Sequence, residues 1–428
     1  MKLKTVLTVA GFAVVIATTG HAAPYCEDLN QKETLPAKYQ KRGPFYSDAD
    51  AGWIIGDDQL RAQFKLSSET ARLWSDIRSE FDALGVELAV LAAPPRPILT
   101  PAEVRTSMGA PVYDAETATE SFGAYIAGLN EAGIRAPNLL ETAIAAERPY
   151  YFQRDTHWTP SGAALSAKAL ADAIGMTVDA PAPSFGASYD EKGSLSMVVN
   201  ETCGARPAAE TVAAPDFAQA GDANALLGNA AGPALALVGT SFSDRYQRDA
   251  YRVADAIAHY SGAAVENFSV SGGGVLSAME AFIRSGRIRE FEVVVWEAPY
   301  TEPLTNISAL RQILGALISQ RSAKSADTQV VSLSDEWASI TPAIDMTTKG
   351  AIELVIEGAE TGQLDVEIYD REDKKTRIKL RKSDRVEPAL RSSVWTAALG
   401  RIDSSNIARI KLRLKGEKNG RTARLSAL

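Results

Sequence analysis

The chain has 428 residues, 46% of them hydrophobic, and a formal net charge of −8, so it is long enough for about two folded domains. After the first 23 residues, no stretch is long and apolar enough to cross a bilayer. The sequence also lacks a recognisable nucleic-acid motif, which argues against DNA or RNA as a partner.

Residues 1–23 have the pattern of a secretory signal peptide. Two lysines near the start are followed by an apolar run over residues 6–17, and small alanines precede position 24. The apolar run is too short for a membrane span, and no stop-transfer charges follow it. We therefore expect cleavage near Ala23, export and a periplasmic location.

Two cysteines follow this segment, Cys26 and Cys203. In an oxidising compartment the expected state is one disulfide that ties the mature N-terminus to a distant part of the chain. The alternative is a pair of free thiols. Neither cysteine stands beside a histidine, so a catalytic cysteine is not indicated.

From about residue 64 to 335 the sequence alternates helical and strand-like patterns. A helix is predicted after a capping Ser67 or Ser68 and ends at Gly85. Further helices are predicted at 246–261, 276–286 and 306–320, and strands at 86–97, 234–239, 264–270, 291–299 and 328–333. This alternation predicts an α/β fold with a mostly parallel sheet covered by helices on both faces. The Ala-, Gly- and Pro-rich residues 204–233 are expected to form a long surface loop.

Residues 346–428 have a different pattern. Apolar and polar residues alternate with period two, which predicts a small antiparallel β-sandwich. This tail holds 18 Lys and Arg against 12 Asp and Glu, a net charge of +6 on an otherwise acidic chain. Such a module suits an anionic partner, either an acidic polysaccharide or a membrane surface, although a solvated basic face without a ligand is the alternative.

After the signal segment the chain has two histidines, His157 and His259. His259 lies near the end of a predicted helix, where a structural role is ordinary. His157 stands in "RDTHWTP", with Asp155 two positions before it and a helix start at Thr159. In an extended segment Asp155 and His157 point the same way, so the carboxylate can orient the imidazole. The alternative is a packed, capping Asp-x-His without a catalytic partner.

The segment "ALALVGTSFSDRY" supplies a candidate nucleophile. Its apolar strand ends at Gly239, and Ser241 follows at the turn into a helix, where its hydroxyl and its own amide can serve acyl transfer. A serine at such a turn is otherwise a helix cap. In the later "SVSGGGVLSA", Gly272 and Gly273 could supply a second oxyanion amide, or form only a flexible turn. No metal-binding spacing is present.

These residues resemble the alginate O-acetyltransferases of the AlgX and AlgJ type, whose catalytic domain is SGNH hydrolase-like. The segment "RDTHWTPSGA" resembles the Asp-x-His-Trp signature of this family, and "VGTSFS" resembles its nucleophile turn. The order in which Asp and His precede Ser, and the strand "VVVWEAPY" at 293–300, are also similar. The resemblance implies that Ser241 is the nucleophile, His157 the general base and Asp155 its orienting partner.

The basic tail makes the chain more similar to the AlgX type, which carries a C-terminal carbohydrate-binding module. The resemblance implies a signal peptide at 1–23, an acetyltransferase domain at 24–345 and a carbohydrate-binding sandwich at 346–428. Sugar contacts are expected from Trp395 and Tyr369 by stacking, and from Arg381 and Lys382 by charge.

The function expected on this basis is O-acetylation of an exported polyuronate, most simply alginate, without a cofactor. No coenzyme A motif is visible, so the acetyl donor is expected to be relayed by membrane or periplasmic partner proteins of an exopolysaccharide secretion complex. Two alternatives stay open: a carbohydrate acetyl esterase with the same triad, and a non-catalytic polysaccharide-binding scaffold.

Overall fold

The computed structural model describes residues 23–217, 234–243, 251–322 and 327–428. The predicted signal segment, apart from Ala23, and the residues that directly follow Ser243 therefore lie outside the described ranges. Within those ranges no helix combines the length and the hydropathy needed to span a bilayer.

The helices and strands follow each other in mixed order along the chain. The strands are β1 Phe45–Asp48, β2 Trp53–Gly56, β3 Glu87–Ala92, β4 Ser184–Glu191, β5 Glu210–Asp216, β6 Leu235–Val238, β7 Val265–Asn267, β8 Val293–Ala298, β9 Gln329–Leu333, β10 Ala338–Ile340, β11 Ala351–Ile356, β12 Gly362–Asp370, β13 Lys375–Lys382, β14 Val394–Ala398, β15 Ile407–Leu414 and β16 Arg421–Ala427. The helices are α1 Ser68–Leu84, α2 Arg96–Leu99, α3 Ala102–Ser107, α4 Ala115–Glu131, α5 Leu139–Ile144, α6 Pro160–Ala173, α7 Ser194–Cys203, α8 Val253–Ser261, α9 Gly274–Arg284 and α10 Ile307–Arg321.

A four-stranded parallel sheet forms the centre of the first part of the chain, in the order β3-β8-β6-β7. Strands β3, β6 and β8 are almost entirely buried between helices, which explains their continuous apolar sequences, whereas the edge strand β7 is only partly buried. Parallel strands present their carboxyl ends at one edge, where ligands bind in such folds. The predicted α/β fold class is confirmed.

Several local predictions are also confirmed. The Ser67 hydroxyl accepts from the Thr70 amide at the start of α1, and Gly85 ends that helix. The Thr159 hydroxyl caps α6 by accepting from the Gly162 amide. Cys26 and Cys203 form the expected disulfide.

Part of the expected loop at 204–233 is ordered as a strand. Residues 210–216 form β5, which pairs with β4 in a two-stranded antiparallel sheet. The sequence "ETVAAPD" gives little sign of this strand, because no regular apolar alternation marks it. Residues 218–233 lie outside the described ranges.

The tail is a sandwich of two antiparallel four-stranded sheets, β14-β11-β16-β9 and β10-β15-β12-β13. The strand predicted at 328–333 was assigned to the parallel sheet, and this assignment is wrong. It forms β9, which pairs with β16 at the edge of the sandwich. The sandwich therefore includes strands that precede the boundary predicted at residue 346.

Helix α10 joins the two parts of the molecule. One side of it packs on α1 and the other on β14 of the sandwich. Gly315 lies at the closest approach, where an added Cβ would stand 2.9 Å from the Ala398 amide nitrogen and 3.0 Å from that of Ala397. The helix also satisfies the open edge of β13, since the Gln312 side chain accepts from the Arg381 amide and donates to the Arg381 carbonyl.

The contact between α10 and β14 predicts that Gly315→Ala destabilises the protein. The new methyl group would meet backbone atoms, which cannot rotate away, so we expect a loss of about 1–3 kcal/mol in the free energy of unfolding. Gly123→Ala, in the middle of α4 with nothing within 4 Å of the added carbon, is the matched control. The control should be neutral or stabilise the protein by up to about 1 kcal/mol. Equal effects of the two substitutions in denaturant titrations would contradict this packing.

Candidate active site

A cleft of about 480 Å³ opens at the carboxyl edge of the parallel sheet. It is lined by residues that follow β6, β7 and β8, by the loop that precedes α6, and by Arg42 and Asp58 from the N-terminal segment. Ser194 at the start of α7 and Arg385 of the tail also line it. The two sequence motifs therefore meet in one concave site.

Asp155, His157 and Ser241 form a continuous hydrogen-bonded row in this cleft. The Asp155 carboxylate is bonded to His157 Nδ1, and His157 Nε2 lies 2.8 Å from Ser241 Oγ. The imidazole packs against the rings of Phe242 and Tyr251, with centroid distances of 4.8 and 5.5 Å. This geometry fixes the ring and allows Nε2 to accept the serine proton.

The Asp155 carboxylate has no exposed surface, and donors surround it. The Ser194 amide donates to Oδ2 at 2.6 Å, and the Ser194 hydroxyl donates to Oδ1 at 3.1 Å. Ser194 is the first residue of α7, whose next two amides donate to the carbonyl oxygen of Arg154. The positive end of a helix dipole therefore faces the carboxylate and favours its ionised form.

The segment that carries Asp155 and His157 is a tight loop and not the extended chain that the sequence suggested. The Thr159 amide bonds to the Tyr150 carbonyl, which closes the loop. The His157 amide donates to Asp155 Oδ1 at 3.0 Å, as in an Asx turn. The side chains of Asp155 and His157 therefore meet because the backbone forms a turn at these residues.

Two residues that sequence reasoning missed hold this loop. The fully buried Arg96 donates to the carbonyls of Phe152 and Gln153, at 3.1 and 2.5 Å. The Glu210 carboxylate, at the start of β5, accepts the amides of Gln153 and Arg154, at 2.8 and 2.6 Å. Neither residue stands in a motif, so the sequence offered no signal for these roles.

Ser241 stands in a turn that is anchored on both sides. The Ser243 amide closes the turn by donating to the Thr240 carbonyl at 3.1 Å. Trp158 Nε1 donates to the Phe242 carbonyl at 2.9 Å, so the Asp-x-His-Trp segment holds the nucleophile turn directly. On the other side, the Thr240 amide donates at 2.7 Å to Glu297, a buried carboxyl on β8.

The two predicted oxyanion glycines differ in their surroundings. Gly272 lines the cleft together with Ser241. The Gly273 amide donates to the Val270 carbonyl at 3.3 Å, so it is engaged within its own turn. Within the described ranges no hydrogen bond engages the Ser241 amide. Of the two glycines, Gly272 is therefore the better candidate for a second oxyanion donor beside the Ser241 amide.

Two of the predicted sugar-binding residues are internal, and these predictions are wrong. Trp395 has no exposed surface and donates from Nε1 to the Ala359 carbonyl inside the sandwich. Lys382 is buried and donates to the Ser392 and Val394 carbonyls, both at 2.6 Å. Burial lowers the pKa of Lys382 to about 8. Neither side chain is available to a polymer.

The other two predicted sugar-binding residues are accessible to different degrees. Tyr369 is half-buried, with the guanidinium of Arg409 over its ring at 4.2 Å, so that face is already covered. Arg381 is exposed and lines a groove of about 890 Å³ with Lys379 and Arg61. This groove adjoins the cleft, because Gly272 and Gly274 line both.

His259 is buried away from this cleft. Its Nε2 lies 3.0 Å from the Pro181 carbonyl, and its ring packs against Phe217. These contacts are those of a structural histidine. The described ranges contain no group of three or more His, Cys, Asp or Glu side chains placed to hold a metal ion.

Comparison with known proteins identifies the family. Residues 49–300, more than half of the chain, match the family described as the SGNH hydrolase-like domain of acetyltransferase AlgX. The chain belongs to this family. Asp155, His157 and Ser241 all lie within the matched range, and the resemblance seen in the sequence is confirmed.

Among the curated proteins, this AlgX-family chain is similar to the alginate biosynthesis protein AlgX of Pseudomonas aeruginosa, with 30% identity over 267 residues, which are 60% of this chain and 55% of that protein. It is also similar to the probable alginate O-acetylase AlgJ of the same organism, with 26% identity over 58% of this chain and 68% of that protein. The first of these matches spans about half the length of the relative.

The solved structure of P. aeruginosa AlgX matches 94% of this chain and 98% of that one, with a TM-score of 0.69 and 22% identity. At this identity the match shows a shared fold. It extends past residue 300 and therefore includes the tail, which the sequence match to the family does not reach.

The buried carboxyl on β8 predicts a pH-dependent stability. Burial raises the pKa of Glu297 to about 7 from an ordinary value of 4.5, so ionisation is penalised in the folded state. The stability that the neutral form contributes is present below the unfolded pKa and is lost as pH rises through about 7. Relative to Glu297→Gln, which does not ionise, the wild type should lose roughly 3 kcal/mol over this range.

Urea titrations of both proteins between about pH 4 and pH 8 measure this difference. Parallel pH dependences of the two unfolding free energies would show that Glu297 does not titrate with a raised pKa.

Proposed function

We propose that this protein is an exported O-acetyltransferase that moves acetyl groups through Ser241 onto hydroxyls of an anionic polysaccharide. The observation that carries the proposal is the row Asp155–His157–Ser241 in a cleft that continues into a groove with basic side chains. The row supplies a nucleophile with its base, and the groove supplies a place for a polymeric acceptor.

The first half-reaction loads the serine. His157 Nε2 accepts the Ser241 proton as Oγ attacks the acetyl carbonyl of the donor, and a tetrahedral oxyanion forms. The imidazolium then gives its proton to the leaving group, which departs as the ester bond to Ser241 is completed. Asp155 stays ionised and stabilises the imidazolium through Nδ1, because the amide of Ser194 and its hydroxyl hold the carboxylate charge.

The second half-reaction repeats the same steps with a sugar hydroxyl. His157 accepts the hydroxyl proton, the sugar oxygen attacks the acetyl carbonyl, and Ser241 Oγ leaves with the proton returned by the imidazolium. The same amides, those of Ser241 and Gly272, would hold both oxyanions. Transfer competes with hydrolysis, so the acceptor must be held close to the acetyl-serine.

The groove beside the cleft suits a polyuronate. Arg61, Lys379 and Arg381 line it, and in the described residues none of the three forms an ion pair. Lys375 and Arg377, earlier on the exposed face of β13, are by contrast paired with Glu367 and Asp365. Unpaired cations along a groove attract a polymer of carboxylates and bring its hydroxyls towards Ser241.

The biological setting is proposed from the relatives. The curated names of AlgX and AlgJ refer to alginate biosynthesis and alginate O-acetylation, so alginate is the polymer that we propose. Export to the periplasm is supported by the apolar segment at 6–17 and by the disulfide between Cys26 and Cys203. We propose that partner proteins of a secretion complex relay the acetyl donor, because the chain shows no coenzyme A motif.

An acceptor assay tests the proposed reaction. The protein is incubated with a chromogenic acetyl ester and an oligouronate, and mass spectrometry identifies the acetylated sugar products. Acetylated oligouronate should form with the wild type and fall by at least about 1,000-fold with Ser241→Ala or His157→Ala, because each removes a group that acts in both half-reactions. Ser188→Ala, an exposed serine on β4, is the matched control and should be fully active.

Free acetate without acetylated sugar would make the protein an esterase and overturn the transferase proposal. Full activity of Ser241→Ala in ester hydrolysis and in transfer would overturn the triad, and inactivity of the wild type in both would favour a non-catalytic scaffold.

A second prediction concerns the groove. The double variant Lys379→Glu/Arg381→Glu should bind oligouronate at least about tenfold more weakly than the wild type at low salt, because two attractive charges become repulsive. The control Lys415→Glu/Lys418→Glu makes the same change of charge at exposed positions away from the groove. Isothermal titration calorimetry separates the two, and equal losses would show that the tail attracts the polymer only through its net charge.

A further inference from the structure

Glu297 is an anomaly within its strand. The other five residues of β8 are Val, Val, Val, Trp and Ala, and all six positions are buried. The Glu297 carboxyl has no exposed surface, and no Lys, Arg or His of the described ranges forms an ion pair with it. A carboxyl buried without a cation is costly, and an apolar side chain would pack there at lower cost.

Within the described ranges, the side-chain hydrogen bonds of Glu297 go to the turn that carries Ser241. Its Oε2 accepts the Thr240 amide at 2.7 Å, and the Thr240 hydroxyl lies 3.1 Å from both carboxylate oxygens. The same hydroxyl accepts the Phe242 amide at 3.3 Å. The Glu297 side chain thus binds Thr240, the residue before Ser241. The Thr240 hydroxyl in turn binds the amide of Phe242, the residue after Ser241.

Gly239 provides the room for this arrangement. Glu297 lies beside Gly239 where β6 and β8 run in register, next to the pair Val238 and Trp296. A Cβ on Gly239 would stand 2.7 Å from Glu297 Cβ and even closer to its carboxylate. The Gly-Thr-Ser sequence is therefore matched to the glutamate, since the glycine admits its side chain and the threonine binds it.

We propose that Glu297 is a positioning residue for Ser241, a role that rests on the proposed nucleophilic function of that serine. With the Thr240 amide bound to Glu297 on one side and the Phe242 carbonyl bound to Trp158 on the other, the turn has one orientation. This orientation places Ser241 Oγ 2.8 Å from His157 Nε2 and leaves the Ser241 amide for the oxyanion. Glu297 contacts neither the substrate nor the reacting atoms.

Steady-state hydrolysis of a chromogenic acetyl ester by three variants tests this role. Glu297→Ala removes the acceptor and should lower kcat by on the order of 100-fold while KM changes by less than about threefold, because the turn loses its orientation but the cleft keeps its lining. Glu297→Gln should keep kcat within about fivefold, because its amide oxygen can accept from the Thr240 amide and its NH2 group can donate to the Thr240 hydroxyl. Thr240→Val, which removes only the hydroxyl contacts, should lower kcat by about tenfold.

The control is Glu292→Ala, which removes an exposed carboxyl just before the same strand and should leave both constants unchanged. The rate at which an organophosphorus probe labels Ser241 should follow the same order as kcat across the variants. Far-ultraviolet circular dichroism and melting curves establish that each variant is folded before it is compared.

A folded Glu297→Ala variant with the wild-type kcat would overturn the proposal, as would a Glu297→Gln variant as impaired as Glu297→Ala. If Glu297→Ala does not fold, a folded Thr240→Val variant with the wild-type rate overturns the proposal instead. Failure of the wild type to acetylate an oligouronate would refute the transferase function alone, because these comparisons use ester hydrolysis and probe labelling of Ser241.

Discussion

The structure of this site depends on a buried carboxylate. Asp155 has no exposed surface, and such a charge is tolerated only where donors replace the lost water. The donors among the described residues include the amide and the imidazole of His157 and the amide and the hydroxyl of Ser194. These hydrogen bonds of Asp155 hold both the ring of His157, the proposed general base, and the start of helix α7.

Several neighbouring elements help to keep Asp155 and its hydrogen-bond donors in place. The amides at the start of α7 have no partner within the helix, and the loop at 154–155 provides acceptors for three of them. The last residue of α7 is Cys203, whose disulfide to Cys26 attaches the helix to the N-terminal segment. Arg96 and Glu210 hold the loop itself. Buried polar side chains thus hold this loop through its backbone groups, and Arg385 of the basic tail lines the cleft.

The triad could be predicted from the sequence because so few residues could carry its chemistry. With only His157 and His259 after the predicted signal segment, one histidine motif stood out, and the strand end before Ser241 indicated a candidate nucleophile. The donors from α7 could not be predicted, because no sequence pattern around Ser194 indicates that it contacts Asp155, which lies 39 residues earlier. Lys382 is different, since its period-two register with Ile378 and Leu380 already places it on the buried face of β13. The glutamate in the apolar run of β8 was a similar signal that sequence reasoning passed over.

The most direct test of the account is isolation of the acetyl-enzyme. The protein is treated briefly with an activated acetyl ester, quenched in acid and digested, and the peptides are analysed by mass spectrometry. The account predicts one added acetyl group on Ser241, lost when an oligouronate is added before the quench and absent from His157→Ala. Acetyl groups only on other residues, or turnover of the ester by the Ser241→Ala variant at the wild-type rate, would contradict it.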